Sequence, residues 1–325
     1  MNVLTFPILR LLADGKFHSG EDLARHFGVT RATVWNALQQ AEQLGVRLYS
    51  VRGRGYCLPE PVRFVEAERV LAMLGVQRDK FALEIHDQID STNSYLMRQA
   101  AAGAPSGTCA VALLQTDGRG RRGRSWQARL GDSLTFSVLW RFDGGAGVLS
   151  GLSLAVGVAL VRALRAVGAD GIALKWPNDV LHGGGKLAGI LIELQGDMDG
   201  PSAAVIGIGL NLRLSADLRR GIDQPAAGLR DILTDLPAAD ELLGVLLYHL
   251  AEVLQAFERD GFSALREEWA ASHAYHAQPV RMLMPDGRAI EGTVDDVAAD
   301  GALLLDVGGS VQRFSAGEIS MRGVA

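Results

Sequence analysis

The stretch Gln115-Thr-Asp-Gly-Arg-Gly-Arg-Arg-Gly-Arg-Ser-Trp126 decides how the rest of this chain is read. Four arginines (Arg119, Arg121, Arg122, Arg124) are interleaved with three glycines (Gly118, Gly120, Gly123) in a chain whose net charge is −5. Glycine lets the backbone bend sharply and approach a ligand closely. Arginine is permanently charged and forks onto carboxylates and phosphates. The stretch therefore reads as an anion-holding loop, kept mobile by its glycines and its mutually repelling arginines until an anion arrives. A solvated basic loop, touching nucleic acid, is the plainer reading of the same residues. Its surroundings decide between the two.

Outward from the loop, residues 108–114 form a buried strand running straight into it, and residues 134–140 alternate as a half-buried strand should. Further strand patterns at 81–89, 172–175, 187–194 and 203–210 are interleaved with helical stripes at 65–74, 94–102, 152–167 and 242–258. Helices and strands in that number predict one α/β or α+β domain around a central sheet. Polar clusters fall at strand ends and turns, where sites are normally built. These are Asp90-Ser-Thr-Asn93, which also reads as a plain helix cap, and Lys175-Trp-Pro-Asn-Asp179, which also reads as a turn. Gly183-Gly-Gly-Lys186 and Gly207-Ile-Gly-Leu-Asn211 complete the set.

Upstream, Ile8–Leu12 reads as a short helix, and Ser19 to Gly28 as a second with Ser19 as its cap. Thr30 caps a third, Arg31–Leu44, with Val34, Ala37, Leu38, Ala41 and Leu44 on one face and Arg31, Thr33, Asn36, Gln39, Gln40 and Gln43 on the other. Two helices joined by a short turn form a helix-turn-helix whose second helix can enter a major groove. Residues 46–58 read as a hairpin wing with Arg52 and Arg54 at its tip, placed for phosphate contacts. Arg31, Thr33, Asn36, Gln40, Arg52 and Arg54 are thus the candidate DNA contacts. Seven Lys/Arg against five Asp/Glu over residues 1–62 make a weak positive excess, so a protein-interaction role for this domain stays open. Pro59–Pro61 reads as a linker. At the other end, short strands around Pro285-Asp-Gly287, Asp300-Gly301 and Gly308-Gly-Ser310 predict a compact all-β module.

Size and composition agree. At 325 residues, two or three domains are expected, and 48% hydrophobic with 21% charged residues describe an ordinary globular protein. Two cysteines, Cys57 and Cys109, without metal-type spacing fit a reducing cytoplasm. No signal-peptide pattern opens the chain, and the apolar run Val148–Val161 is too short to span a bilayer, so no membrane is expected.

Conventional catalytic motifs do not fit. Gly118, Gly120 and Gly123 match the spacing of a dinucleotide fingerprint but open no helix pattern, and Gly183 to Lys186 lacks P-loop spacing. There is no nucleophile elbow and no zinc motif, and the seven histidines are scattered. What remains is chemistry by arginine, lysine and amides, which suits adenylation. A carboxylate must meet a nucleotide α-phosphate, so catalysis is mainly positioning and charge neutralisation.

The five clusters, in this order behind a winged helix, resemble the bifunctional biotin–protein ligases that double as biotin-operon repressors. The resemblance covers essentially the whole chain. It implies a multidomain α+β protein: a winged helix-turn-helix over 1–62, a class II synthetase-like α/β catalytic domain over 63–274, and an SH3-like β-barrel over 275–325. By motif it implies that Ser91, Thr92, Asn93 and Gln115 line a biotin pocket, closed by Arg119, Gly120 and Arg121. Arg121 and Lys186 would neutralise the developing charge. Arg122, Arg124, Trp126, Asn178, Asn211 and Arg322 would hold the nucleotide, and Asp179 would touch Mg2+. Biotin and ATP would give biotinyl-5′-adenylate, and the acceptor would be a lysine of the biotin carboxyl carrier protein of acetyl-CoA carboxylase. The adenylate would promote homodimerisation and operator binding. A lipoyl-type ligase of the same fold, and a non-catalytic ligand-sensing transcription factor, are the competing readings.

Overall fold

The computed structural model describes residues 2–59, 64–127, 129–196, 200–214, 219–222, 224–316 and 319–323. Glu60 and Pro61 of the expected linker, and the expected 62/63 domain boundary, lie outside them.

The chain opens with α1 (Thr5–Leu12), α2 (Gly20–Phe27) and α3 (Arg31–Gln43). Ser19 accepts from the Asp22 N–H at 3.0 Å to start α2, and Gly28, at φ 65, supplies the left-handed turn that ends it. Thr30 does the same for α3 through the Thr33 N–H at 3.2 Å. The wing is shorter than the sequence suggests: β1 (Tyr49–Val51) pairs with β2 (Gly55–Cys57).

The middle of the chain supplies α4 (Ala67–Met73), β3 (Ala82–His86), α5 (Thr92–Ala101), β4 (Thr108–Ala112), β5 (Ser133–Phe142), α6 (Leu152–Ala166), β6 (Ile172–Lys175), β7 (Asp179–His182), β8 (Gly185–Gly196), β9 (Ser202–Asn211), α7 (Ala239–Asp260) and α8 (Arg266–Ala271). The seven strands form one sheet in the order β3-β4-β5-β9-β8-β7-β6, with only β3 and β4 parallel. The apolar run at α6 extends further than the sequence reading put it. Residues 147–166 are long and apolar enough to cross a membrane by length and composition, with mean hydropathy 1.9 over an 18-residue window, but in this fold residues 152–166 are α6, the core helix packed between sheet and α7.

Strand β5 corrects an expectation. It is buried along almost its whole length rather than half-buried, because it sits in the interior of the sheet with both faces covered. Leu134, Phe136 and Val138 face the main core beneath α6 and α7. On the opposite face side-chain size falls off in steps. Ala110, Leu139, Ala203 and Val205 pack under α5. Beyond them, in register, come Ser137 beside Gly207 and Leu191, then Thr135 beside Gly209 and Gly189, then Ser133 beside Asn211. The polar alternates of β5, with the Gly-x-Gly of β9, make a floor with room above it.

The last strands, β10 (Pro279–Leu283), β11 (Ala289–Val297), β12 (Leu303–Val307), β13 (Ser310–Phe314) and β14 (Ser320–Gly323), form one antiparallel sheet in the order β13-β12-β11-β10-β14. Its inner face shares a core with the central domain, and Trp176, fully buried, donates its indole N–H to Gly301 O at 3.0 Å. Trp176 therefore fastens the last module to the central one.

Candidate functional site

Above the small-residue floor lies a cavity of about 470 Å³. Ser91, Thr92, Asn93, Gln115, Arg119, Gly120, Arg121, Arg124, Trp126, Asn178, Lys186, Asn211 and Arg322 all line it. Of the ligand-binding residues expected from the sequence, Arg122 lies just outside, donating to Ser320 Oγ at 2.9 Å.

Three consecutive polar side chains, Ser91, Thr92 and Asn93, are each at most 4% exposed. The motif caps a helix and also lines the cavity. Ser91 caps α5 by accepting from the Ser94 N–H, and the cap turns Thr92 and Asn93 onto the sheet. Thr92 N–H donates to Gln115 Oε1 at 2.8 Å, and Asn93 donates to Leu191 O at 3.2 Å.

In this structure the arginine loop is tied down at several points. It folds back on itself, with Trp126 N–H on Gly118 O at 2.8 Å and Gly120 N–H on Arg124 O at 2.7 Å. Its tip is pinned across the cavity. Arg121 donates to Asn178 Oδ1 at 3.0 Å and to Ala316 O at 2.7 Å, and Arg119 pairs with Glu193 at 2.8 Å. Burial pushes the Arg121 guanidinium below its ordinary range, with Asp179 opposing. The arginines are spread onto separate partners, so their mutual repulsion does not hold the loop open.

Lys186 lies on β8, just past the turn after β7, with its ammonium 2.6 Å from Asp179 Oδ1 at ion-pair distance but out of hydrogen-bond alignment. The same ammonium sits 5.8 Å from the Trp126 ring. In this structure the Asp179 carboxylate is engaged by Lys186. The ammonium occupies its approach, and no group of three or more His, Cys, Asp or Glu among the described residues is arranged to hold an ion. Asn178 and Asn211 line the cavity with their amide N–H groups committed to backbone: Asn178 to Ile190 O at 2.7 Å, Asn211 to Lys186 O at 3.1 Å and Ala227 O at 3.2 Å. Asn211 therefore positions Lys186. Trp126 lies against Gly209, where an added Cβ would fall 2.5 Å from its ring, and its buried indole N–H has no protein partner. A ligand acceptor would satisfy it.

Several cavity residues escaped the sequence reading. Gly221, Ile222 and Gln224 close the side next to Arg322, whose guanidinium is 3.4 Å from Gln224 Oε1. They belong to a stretch with no motif. Lys175 stands near Asp179, Arg322, Lys186 and Arg124, and burial lowers its affinity for a proton, with Asp179 opposing. It sat inside a quoted motif, so crowding of cations was the signal to follow.

Sixty residues upstream, α3 presents Arg31, Ala32, Trp35, Asn36 and Gln43 to solvent. Gln40 is corrected: its Oε1 accepts from the Asn2 N–H at 2.5 Å and it turns to α1. Thr33 is half-buried against Thr30, 2.9 Å between hydroxyls. Trp35, 53% exposed, was missed because the apolar stripe of α3 was assigned without it. On the wing, Arg52 and Arg54 are exposed, and Arg54 stacks over Phe17 at 4.2 Å.

A model of the biotin/lipoate A/B protein ligase family matches residues 85–211, an HTH-domain model residues 5–57, and the biotin protein ligase C-terminal domain residues 277–322. The chain is 36% identical to the bifunctional ligase/repressor BirA of Salmonella typhimurium, over 99% of both chains. This chain belongs to the bifunctional biotin–protein ligase/repressor family. A further relative, the biotin–[acetyl-CoA-carboxylase] ligase of Mycobacterium tuberculosis, is 36% identical over 73% of this chain and 88% of its own length. Among solved structures, a biotin protein ligase from Aquifex aeolicus in complex with biotin and ATP superposes with a TM-score of 0.64 at 27% identity. That match covers 74% of this chain and 99% of the other.

Proposed function

We propose that this member of the ligase/repressor family activates biotin with ATP and passes the biotinyl group to a lysine of the biotin carboxyl carrier protein of acetyl-CoA carboxylase. The observation that carries the reading is the cavity itself: a small-residue sheet face roofed by Arg119 to Trp126, with Arg121 and Lys186 both lining it and both near Asp179. Ser91, Thr92, Asn93 and Gln115 would hold the biotin head in the buried end. Arg124, Trp126, Asn178, Asn211 and Arg322 would frame the nucleotide, with Arg122 at the rim.

In the first half-reaction a biotin carboxylate oxygen attacks the α-phosphorus, the α–β anhydride bond breaks, and pyrophosphate leaves. Two anions must be brought together, so the positive charge of Arg121 and Lys186 lowers the barrier more than any proton transfer would. In the second, the neutral amine of the acceptor lysine attacks the acyl carbon, AMP leaves, and the surplus proton passes to water. Magnesium would arrive on the triphosphate rather than in a protein cage. We place the domain limits at 1–62, 63–274 and 275–325 and the protein in the cytoplasm. We further propose that the bound adenylate promotes homodimerisation and operator binding through Arg31, Asn36, Arg52 and Arg54.

Incubation with biotin, ATP, magnesium and an apo carrier domain should biotinylate one lysine, and lipoate should not compete. No transfer, or preferential use of lipoate, refutes the ligase reading. A mobility shift on DNA upstream of biotin-synthesis genes, seen only with biotin and ATP present, tests the repressor half.

A further inference from the structure

One chain of side-chain contacts leaves the arginine loop at its first residue, crosses the cavity floor and returns four residues later. Gln115 Oε1 accepts from Thr92 N–H at 2.8 Å and lies 3.2 Å from Thr92 Oγ1. Thr92 Oγ1 is 2.7 Å from Ser137 Oγ, and Ser137 Oγ donates to Asn93 Oδ1 at 2.6 Å. The Asn93 amide then donates to Glu193 Oε2 at 3.0 Å. Glu193 closes the circuit by taking both terminal nitrogens of Arg119, at 2.8 and 3.2 Å, while Arg119 also reaches Ser94 Oγ at 3.2 Å.

Two physical points follow from this connectivity. First, the orientation of Asn93 is determined, because its amide nitrogen faces two acceptors, Glu193 and Leu191 O, and its oxygen faces a donor. Gly207 leaves no slack beside it, since an added Cβ there would lie 2.0 Å from Asn93 Oδ1. Second, the charge of Arg119 is spent on a carboxylate of the floor strand β8, held in a two-pronged pair of the stronger kind. Arg119 is then a fastener between the loop and the floor strand.

We propose that Glu193 is a positioning residue for the ligase reaction: it latches the arginine loop to the biotin-pocket floor, so that loop closure and correct setting of Ser91–Asn93 are one event. This rests on the ligase reading above. A floor disturbed by the wrong acyl group would lose Asn93 from Glu193 and weaken the hold on Arg119, which makes the latch a contributor to acid specificity as well as to retention of the adenylate.

The test compares Glu193→Gln, Glu193→Ala, Arg119→Ala and the double Arg119→Ala/Glu193→Ala in biotin-dependent pyrophosphate exchange and in release of preformed biotinyl-adenylate. Loss of one charge-assisted pair at a partly exposed site predicts about a tenfold rise in KM for biotin and a similar acceleration of adenylate release for Glu193→Gln. KM for ATP should move by less than about threefold. The double variant should be no worse than the poorer single one, because both changes cut the same link. Additive losses would place Arg119 on the ligand itself and overturn the proposal. So would unchanged biotin KM and adenylate release in a Glu193→Gln protein whose melting temperature alone has fallen. If the unaltered protein shows no biotin-dependent exchange, the ligase reading fails first and takes the latch with it.

Discussion

Replacing Lys186 by alanine separates what the lysine does for the ligand from what it does for its neighbour. The ammonium is 2.6 Å from Asp179, and the two side chains are only 15% and 13% exposed. Alanine removes a cation facing the reacting carboxylate and phosphate, an effect of about 2.7–4 kcal/mol, or 10²–10³ in rate, for a preorganised charge-stabilising donor. It also strands a largely buried carboxylate. Breaking a buried pair costs about 3–5 kcal/mol of stability where nothing else compensates. Here Arg121 and Lys175 also lie within electrostatic reach of Asp179, so the expected loss is smaller, about 1–3 kcal/mol. The stranded charge would in addition repel incoming phosphates, so the single variant overstates the role of Lys186. The double variant Lys186→Ala/Asp179→Ala removes that repulsion. Thermal unfolding without ligand should show a fall for the single variant and recovery for the double. Pyrophosphate exchange should fall at least a hundredfold for the single, with no more than about a tenfold part returning in the double. A single variant slowed less than tenfold, or a double at full rate, would show that Lys186 only masks Asp179.

The two floor glycines should fail differently. Gly207→Ala drives a Cβ to 2.0 Å from Asn93 Oδ1 and should raise KM for biotin by tenfold or more, whereas Gly209→Ala drives one to 2.5 Å from the Trp126 ring and should act on KM for ATP; the reverse pattern in steady-state kinetics would refute the division of the cavity. His273 is pushed down to about 4 by burial and by His276, with Asp296 opposing, against a ring stack on Trp269 at 4.5 Å. Its neutral form is the one the fold favours, so its stability contribution is complete above about pH 6.5, declines as pH falls toward 4, and is lost below, by roughly 3 kcal/mol in all. His273→Gln should flatten the fall in melting temperature between those pH values, and identical slopes would contradict the assignment. Trp35→Ala should weaken binding to a selected operator about tenfold while sparing non-specific DNA, and replacing thymine by uracil, which removes the C5 methyl, should weaken the unaltered protein only. Equal sensitivity of both proteins would remove Trp35 from the base-reading face.

The helix-turn-helix was legible because its signals are local: Ser19, Thr30 and Gly28 cap and stop helices within three or four residues of themselves. Strand β5 was misjudged because period-2 alternation reports two different faces, not which of them meets water. Thr135 lines the cavity, and Ser137 is hydrogen-bonded to Thr92 and Asn93, which line it. The loop was read as mobile from its own composition, and its partners Glu193, Asn178, Ala316 and Ser320 lie between 57 and 198 residues away. No window of sequence contains them. Gln40 went astray for the same reason: α3 alone cannot say which of its polar residues α1 covers. Motif order found the cavity lining well, since each motif sits at a strand end or turn on the same side of one sheet.

That loop is also where the three parts of the chain meet. Leu113 and Leu114 precede it and Leu130 follows it, and all three pack into the winged-helix core with Phe6, Leu9 and Leu38 rather than into the core beneath α6 and α7. Arg10 of α1 adds an ion pair to Asp87 and lies over Phe64 at 5.1 Å. Both stems of the loop are therefore anchored in the domain that carries α3, while its tip is tied to the cavity floor by Arg119 and to the last module by Arg121 and Arg122. Repression that depends on ligand needs a physical connection between the cavity and the reading helix. Close-packed side chains transmit a shift at the stems instead of absorbing it, so an anion that resets the loop tip acts on a segment whose two ends already belong to the winged-helix core.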